Sequence, residues 1–532
     1  MSRPPPTTPP APLLSEPGED LGLAALRERE DRAVARGALV NAIGVAGKAL
    51  VPVFFILATR LYGPAIAGLY YAAWVVMDIA VSLTVSGLNS GVTMFASRLV
   101  QDEAEQDRLY QVLANGLLAG LAVSGVCILL AHLGGAELLE GASRPGYGRA
   151  IRILSLSLPF MVIPVLVVAA TKAHLTMAWD ALLHGFLPPI LLSAFALVFH
   201  FMGLELDGLL YAHVLAHAVV TLVSLVVFGR LFSYARLFAA VKGFRFFGGL
   251  FTFAVPQNLN MTFSTFITNV DVLMLTYFGF KPELILYYGM GAQIARNVRQ
   301  VKLSVSGAYS PLIARHHARG DISAMNRAFS MVSRWATMVG LPVALLCAIF
   351  RQDLIGLFHG SFTVDPLFML ILLLPPILSC TFGIAGNIVV MTGHSMWNLV
   401  NSLFVAGLNT LLNYLMIPYW GLMGAAAATL AASAALTAAQ LVEADRLVGA
   451  RLDLGRVWKP YAAALLPLAL TILGSRLELD GTLAGRLAMG LGALGLFAAM
   501  IWLLGLDPED RRLFGRKPSN NGKPSNNNSD EP

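Results

Sequence analysis

At 532 residues the chain could hold three or so soluble domains, but its composition excludes them. Hydrophobic residues make up 56% and charged residues only 13%, against roughly 25% charged in soluble proteins, and mean hydropathy is +0.68. So much apolar surface cannot be hidden in water, and the expected class is an all-α polytopic membrane protein. The net charge of +6 hints at nucleic acid by its sum alone. Its distribution follows a membrane instead, and no nucleic acid partner is expected. Cys127, Cys347 and Cys380 all fall in apolar runs, which predicts neither a disulfide framework nor a zinc site.

In chain order, residues 1–36 read as a Pro-rich disordered tail leading into a short amphipathic helix, without the layout of a signal peptide. Fourteen apolar spans follow, at about 37–60, 65–90, 110–133, 150–171, 181–202, 208–230, 248–278, 284–314, 328–350, 366–391, 396–418, 421–444, 459–477 and 483–505. The expected organisation is an N-lobe of six helices (37–230), a cytoplasmic linker (231–247) and a C-lobe of six (248–446). Two further helices (447–505) and a disordered polar tail (506–532) complete it. With the first residue inside, the inner ends collect Arg98, Arg108, Arg230, Arg236, Lys242, Arg245, Arg315, Arg319 and Arg451 among others. They outnumber the outer basic residues, such as Arg60, Arg149 and Arg351, by more than two to one. Both termini are therefore expected in the cytoplasm.

The connections are short, which argues against a membrane glycosyltransferase or polymerase. No phosphate-binding loop is present: GVAGKAL, from Gly44 to Leu50, lies inside the first span and lacks both spacing and hydroxyl. No enzymatic activity, cofactor or metal is expected. The chain also resembles itself at an offset of about 217 residues. LYGPAIAGLYYAAW (Leu61 to Trp74) parallels YFGFKPELILYYGMG (Tyr277 to Gly291), and SGLNS (Ser86 to Ser90) parallels SGAYS (Ser306 to Ser310). Arg98 matches Arg315, and Arg108 matches Arg327. An even number of helices per repeat gives both halves the same orientation, an arrangement of transporters with a site between the halves.

The same residues carry a family resemblance. FFILATRLYGPAIAGLYYAAW resembles the first-to-second helix signature of Wzx-type oligosaccharide-lipid flippases of the MATE-like superfamily. FAVPQNL, Asp271 before YFG, SPLIARHHARGD and IPYWGLMGAAAATLAASA resemble that family too, so the likeness runs over roughly residues 37–475. It implies two six-helix lobes that flip an undecaprenyl-pyrophosphate-linked glycan across a bacterial plasma membrane by alternating access. It also implies a polysaccharide polymerase and chain-length proteins as partners beside the bilayer. Drug exporters and lipid II flippases share this architecture and stand as alternatives.

The eighth span carries charge where a membrane helix should not. Arg296, Arg299 and Lys302 flank its midpoint, and facing lipid would cost roughly 2.5–3.5 kcal/mol for each. With Gln293 they recur every third residue, so the three cations fall within about 120° of the helix circumference and form one stripe. Deep cations then comprise Lys48, Arg296, Arg299 and Lys302, against Asp78 and Asp271 as deep carboxylates. The excess of positive charge predicts a wet centre that awaits an anion, and a pyrophosphate suits it by sign and size. The competing reading is a set of ion pairs that only locks the bundle. Sugars would need hydrogen-bonding side chains, for which Asn41, Tyr71, Trp74, Asn258, Thr262, Thr265, Asn269 and Gln293 are the expected cavity lining. Ser and Thr also serve as ordinary packing glue between helices.

Asp78 and Asp271 are the expected ion-coupling residues, Asp78 by exchange with Lys48 at similar depth. His213 and His217, one turn apart, read as a satisfied interior pair rather than a metal site, since no third ligand is evident. Gly116 and Gly120 read as close packing. Pro52, Pro256, Pro342 and the Pro375-Pro376 pair are the expected bending points. The favoured function is a flippase for an anionic lipid-linked oligosaccharide. The runner-up is a cation-coupled multidrug exporter, which would want an acidic or neutral apolar cavity.

Overall fold

The computed structural model describes residues 47, 50–100, 102–137, 146–173, 178–358, 367–477 and 481–504. Asn41 and Lys48 lie outside the described residues, as do both tails. Among the described residues the chain is helical throughout, with no strand. The first helix, α1 (Leu50–Tyr62), stops at Gly63, whose φ of +82° suits only glycine, and Pro64 then opens α2 (Pro64–Leu99) in its first turn. Next come α3 (Gln106–Leu130), the bent pair α4 (Tyr147–Ser155) and α5 (Leu158–Lys172), α6 (Ala178–Phe201) and α7 (Leu206–Leu231). A short helix, α8 (Tyr234–Lys242), precedes α9 (Gly248–Tyr277) and α10 (Pro282–Ala318). Then follow α11 (Ile322–Ile349), α12 (Arg351–Gly356), the bent pair α13 (Leu367–Phe382) and α14 (Ile384–Met391), and α15 (Ser395–Val448). The last two are α16 (Leu454–Arg476) and α17 (Leu483–Leu504).

Each of the fourteen spans read from the sequence has a helix at its place. Among the described residues, eight helices can cross a membrane by length and apolarity alone, or ten if each bent pair is one span. The difference is physical. α9 and α10 carry the polar and charged residues, and α1 is described only from Leu50. α15 has 54 residues, about 80 Å of helix and far more than a bilayer needs, and it breaks at Gly421 (φ +54°, ψ −128°).

The internal repeat has a structural counterpart. α2 and α10 both begin on a proline and run 36 and 37 residues. A long helix follows each, and then a pair bent by 41° in α4/α5 and by 46° in α13/α14. The second bend falls at Gly383, not at Pro375-Pro376, which sit in the first turn of the segment before it. Helix starts in the loops are capped by carboxylates. The amide of Ala324 donates to Asp321 at 2.8 Å and that of Gly455 to Asp453 at 2.9 Å. The Ala324 amide and the Ser323 hydroxyl hold the Asp321 carboxyl below its usual range.

The chain divides into two compact units: Met1–Met290 with Leu357–Ser361 and Asn413–Gly421, and the remainder from Gly291 onward. In the first, α2 packs along α9 and also meets α3 and α5, around a core that includes Leu109, Val162, Phe228 and Leu250. Gly116 and Gly120 belong to that contact, since a Cβ on them would come within 2.9 Å of Val92 and 2.8 Å of Val162. In the second unit α11 packs on α13 and α16, around a core that includes Ile313, Phe329, Ile384 and Ile388.

Candidate functional site

The cationic stripe lies near the middle of α10, in the second unit. Arg296 donates through Nε and Nη2 to Oε1 of Gln293, at 3.2 and 2.6 Å, so the glutamine expected as cavity lining orients a guanidinium. Arg299 is exposed and Lys302 half-buried. Among the described residues no carboxylate comes within 4.0 Å of Arg299 or Lys302. Lys302 rests against backbone, because a Cβ on Gly383 would stand 2.6 Å from its Nζ. A locking ion-pair set would have matched these two cations with acids on neighbouring helices.

Of the α9 residues expected to line a polar cavity, Asn258, Thr265 and Asn269 bond across to α2. They form a seam with α2 inside the first unit. Asn269 donates to Asp78 at 3.0 Å and Thr265 to Ser82 at 3.1 Å. Asn258 accepts from the Gly87 amide at 2.8 Å and donates to the Leu83 carbonyl. Asn258, Thr265 and Asn269 are therefore helix-to-helix rungs, with Asn258 and Thr265 only half-buried. Gly87 permits the approach, since a Cβ there would stand 2.0 Å from the Ala254 carbonyl oxygen. Tyr71, also expected in the lining, is packed. It is 2% exposed, packs edge-on to Phe55 and fills the space that a Cβ on Gly289 would need. The Thr262 hydroxyl is buried with no hydrogen-bond partner among the described residues.

Of the expected coupling carboxylates, Asp271 is buried and locked, taking a 2.6 Å bond from the Tyr288 hydroxyl and a 2.9 Å bond from the Asn413 amide. Asp78 is exposed, apart from its bond to Asn269. With Trp74 it lines a cavity of about 220 Å³ inside the first unit. Tyr70, His184 and His217 share that cavity.

The histidine pair is not the satisfied one the sequence suggested. Nδ1 of His213 bonds the Tyr70 hydroxyl at 2.8 Å, and its ring lies 4.6 Å from that of His217, but its Nε2 is buried with no partner among the described residues. Sequence reasoning also missed a relay from Lys172 to Asp180 (2.8 Å) to His184 (2.7 Å), whose Nε2 is likewise buried with no partner among the described residues. The available signal was Asp180 and His184 one turn apart at the start of an apolar run. Arg334, buried in α11, is a further inner cation that the count of deep charges left out.

The fold is shared with solved membrane transporters. The lipid II flippase MurJ in an inward closed conformation aligns with a TM-score of 0.69 at 14% identity, over 90% of this chain and 100% of that one. An inward-facing multidrug resistance MATE family transporter of the MOP superfamily aligns at 0.57 and 14% identity, over 76% and 98%. The Vibrio cholerae MATE transporter VcmN aligns at 0.55 and 15%, over 78% and 98%. These likenesses show one shared fold, that of an all-helical polytopic membrane protein. Residues 34–317, more than half of the chain, match the model of the family described as polysaccharide biosynthesis protein, and the chain belongs to that family. No curated protein matches the sequence.

Proposed function

We propose that the protein flips an anionic, undecaprenyl-pyrophosphate-linked oligosaccharide across the bacterial plasma membrane by alternating access, with both termini cytoplasmic and the lobes at 37–230 and 248–446 as the moving bodies. The observation that carries this reading is the α10 stripe, where Arg299 and Lys302 have no carboxylate within 4.0 Å among the described residues. Cations placed mid-membrane without acids are costly unless water and an anion attend them, and guanidinium groups suit a pyrophosphate through paired hydrogen bonds. Membership of the polysaccharide biosynthesis family supports a glycan as cargo. A net acidic or neutral cavity, as a cation exporter needs, does not fit this stripe.

A polymerase and chain-length proteins would take the flipped product. The second reading, a lipid II flippase, is supported by the TM-score of 0.69 to MurJ and shares the pyrophosphate chemistry. The test is the Arg296→Ala/Arg299→Ala double variant. It is expected to accumulate normally in the membrane while surface-glycan export falls by at least tenfold, because each charge-assisted contact is worth about 1.5–3 kcal/mol. Full export by the well-expressed variant overturns the proposal. Complementation of a lipid II flippase deletion, with surface glycan unaffected, would move the cargo to lipid II.

A further inference from the structure

A second basic site lies in the first unit, far along the sequence from the stripe. Where α3 begins, α8 and the segment 243–247 close over a pocket of about 690 Å³, lined by Arg108, Arg236, Arg245, Asp107, Phe246 and Phe247 among others. Its wall is built rather than incidental. Gln111 of α3 donates to the Gly243 carbonyl at 3.0 Å and accepts from the Arg245 amide at 3.0 Å. One turn on, Asn115 (1% exposed) donates to the Arg245 carbonyl at 2.8 Å and accepts from the Phe247 amide at 3.1 Å. Two side-chain amides, half-buried Gln111 and buried Asn115, thus fix both faces of the segment that presents Arg245. The hydroxyl of Tyr110 accepts from the Ser233 amide at 2.8 Å and anchors the approach to α8.

The charges are not spent on one another. Arg108 bonds Glu105 at 3.3 Å and lies over the Phe247 ring, but Arg236 and Arg245 have no carboxylate within 4.0 Å among the described residues. Asp107 on the rim is exposed and leaves the balance positive. Phe246, 69% exposed, lines the pocket; Tyr234 and Phe238 of α8 and Phe244 of the following segment are exposed too, and the Lys242 ammonium lies 4.9 Å from the Phe238 ring centroid. Basic groups interleaved with exposed aromatic rings at the ends of membrane helices belong at the depth of lipid headgroups. A site for a soluble phosphate would have no use for those rings.

We propose that this pocket binds the phosphate headgroup of an anionic phospholipid of the leaflet it faces, with Arg236 and Arg245 on the phosphate and Phe238 and Phe246 among the acyl chains. α8 is the link between the two sequence repeats, so a lipid held here restrains that link independently of the cargo on α10.

The test uses the full-length protein, purified in detergent and titrated with phosphatidylglycerol or phosphatidylcholine, with bound lipid counted by native mass spectrometry. Phosphatidylglycerol is expected to bind and phosphatidylcholine not. Arg236→Ala/Arg245→Ala should weaken phosphatidylglycerol about 30-fold, the effect of two membrane-facing charges. Both residues are exposed, and an unchanged melting temperature will confirm that the fold is intact. Arg236→Lys/Arg245→Lys should restore most of the binding. Undiminished phosphatidylglycerol binding by the double alanine variant overturns the proposal. So does displacement of the lipid by millimolar inorganic phosphate, which would identify a soluble anion as the ligand.

Discussion

At the scale of the residue, the pattern of charge in α10 was legible because a membrane makes each ionisable side chain expensive, so three of them at helical spacing stand out without any structure. The polar residues of α9 were not legible in that way. Ser, Thr and Asn repeat at the same intervals whether they face water or a neighbouring helix, and only the positions of Asp78, Ser82 and Gly87 across the seam decide which. Asp78 differs from its neighbours in having both a partner and an open side. An aspartate in this position can take up a proton without losing the Asn269 bond, since one carboxyl oxygen stays an acceptor. Asp78→Asn imitates the protonated form. If Asp78 carries the coupling ion, the variant in proteoliposomes should still bind the lipid-linked glycan but lose its response to an imposed pH gradient. A normal gradient response removes Asp78 from that role.

At the scale of the element, helix positions and even the recurrence of α2 as α10 followed from hydropathy and from short matching strings. The places where helices deform did not. Prolines were the expected bending points, yet α9 runs on through Pro256, and two breaks fall at Gly383 and Gly421, residues that only the path of the chain singles out. The relay Lys172–Asp180–His184 escaped for a related reason: it spans the end of one helix and the start of the next, where hydropathy sets only approximate limits. The α2–α9 contact allows a direct measurement. Gly87→Ala would force a Cβ to within 2.0 Å of a carbonyl oxygen and part the helices at the Asn258 rung. A loss of about 1–3 kcal/mol is expected, visible as a lower melting temperature in detergent. Gly125→Ala meets nothing within 4 Å and should leave the melting temperature unchanged or slightly raised.

At the scale of the whole molecule, composition sufficed to name the class. Diffuse strings such as LYGPAIAGLYYAAW then pointed to the polysaccharide biosynthesis family to which the chain belongs. Compactness proved a different property from repetition: α9 opens the second repeat but packs along α2 and goes with the first unit. Orientation is the prediction that belongs here. Reporter fusions at either end of the chain should read cytoplasmic, and a reporter inserted between Gly203 and Gly208 should read external. An external signal from the far end would break the even count of helices and the equal orientation of the repeats with it.

The seam between α2 and α9 also bears on speed. Its rungs join groups that hydrocarbon cannot solvate, so parting the helices dry would strand a carboxylate, two amides and a backbone N–H together. If the proposed alternating access parts this seam, water must arrive as the rungs let go, and wetting becomes a reagent of the step rather than its result. A motion gated in this manner slows when water activity is lowered by an osmolyte too large to enter, even while the cargo stays bound.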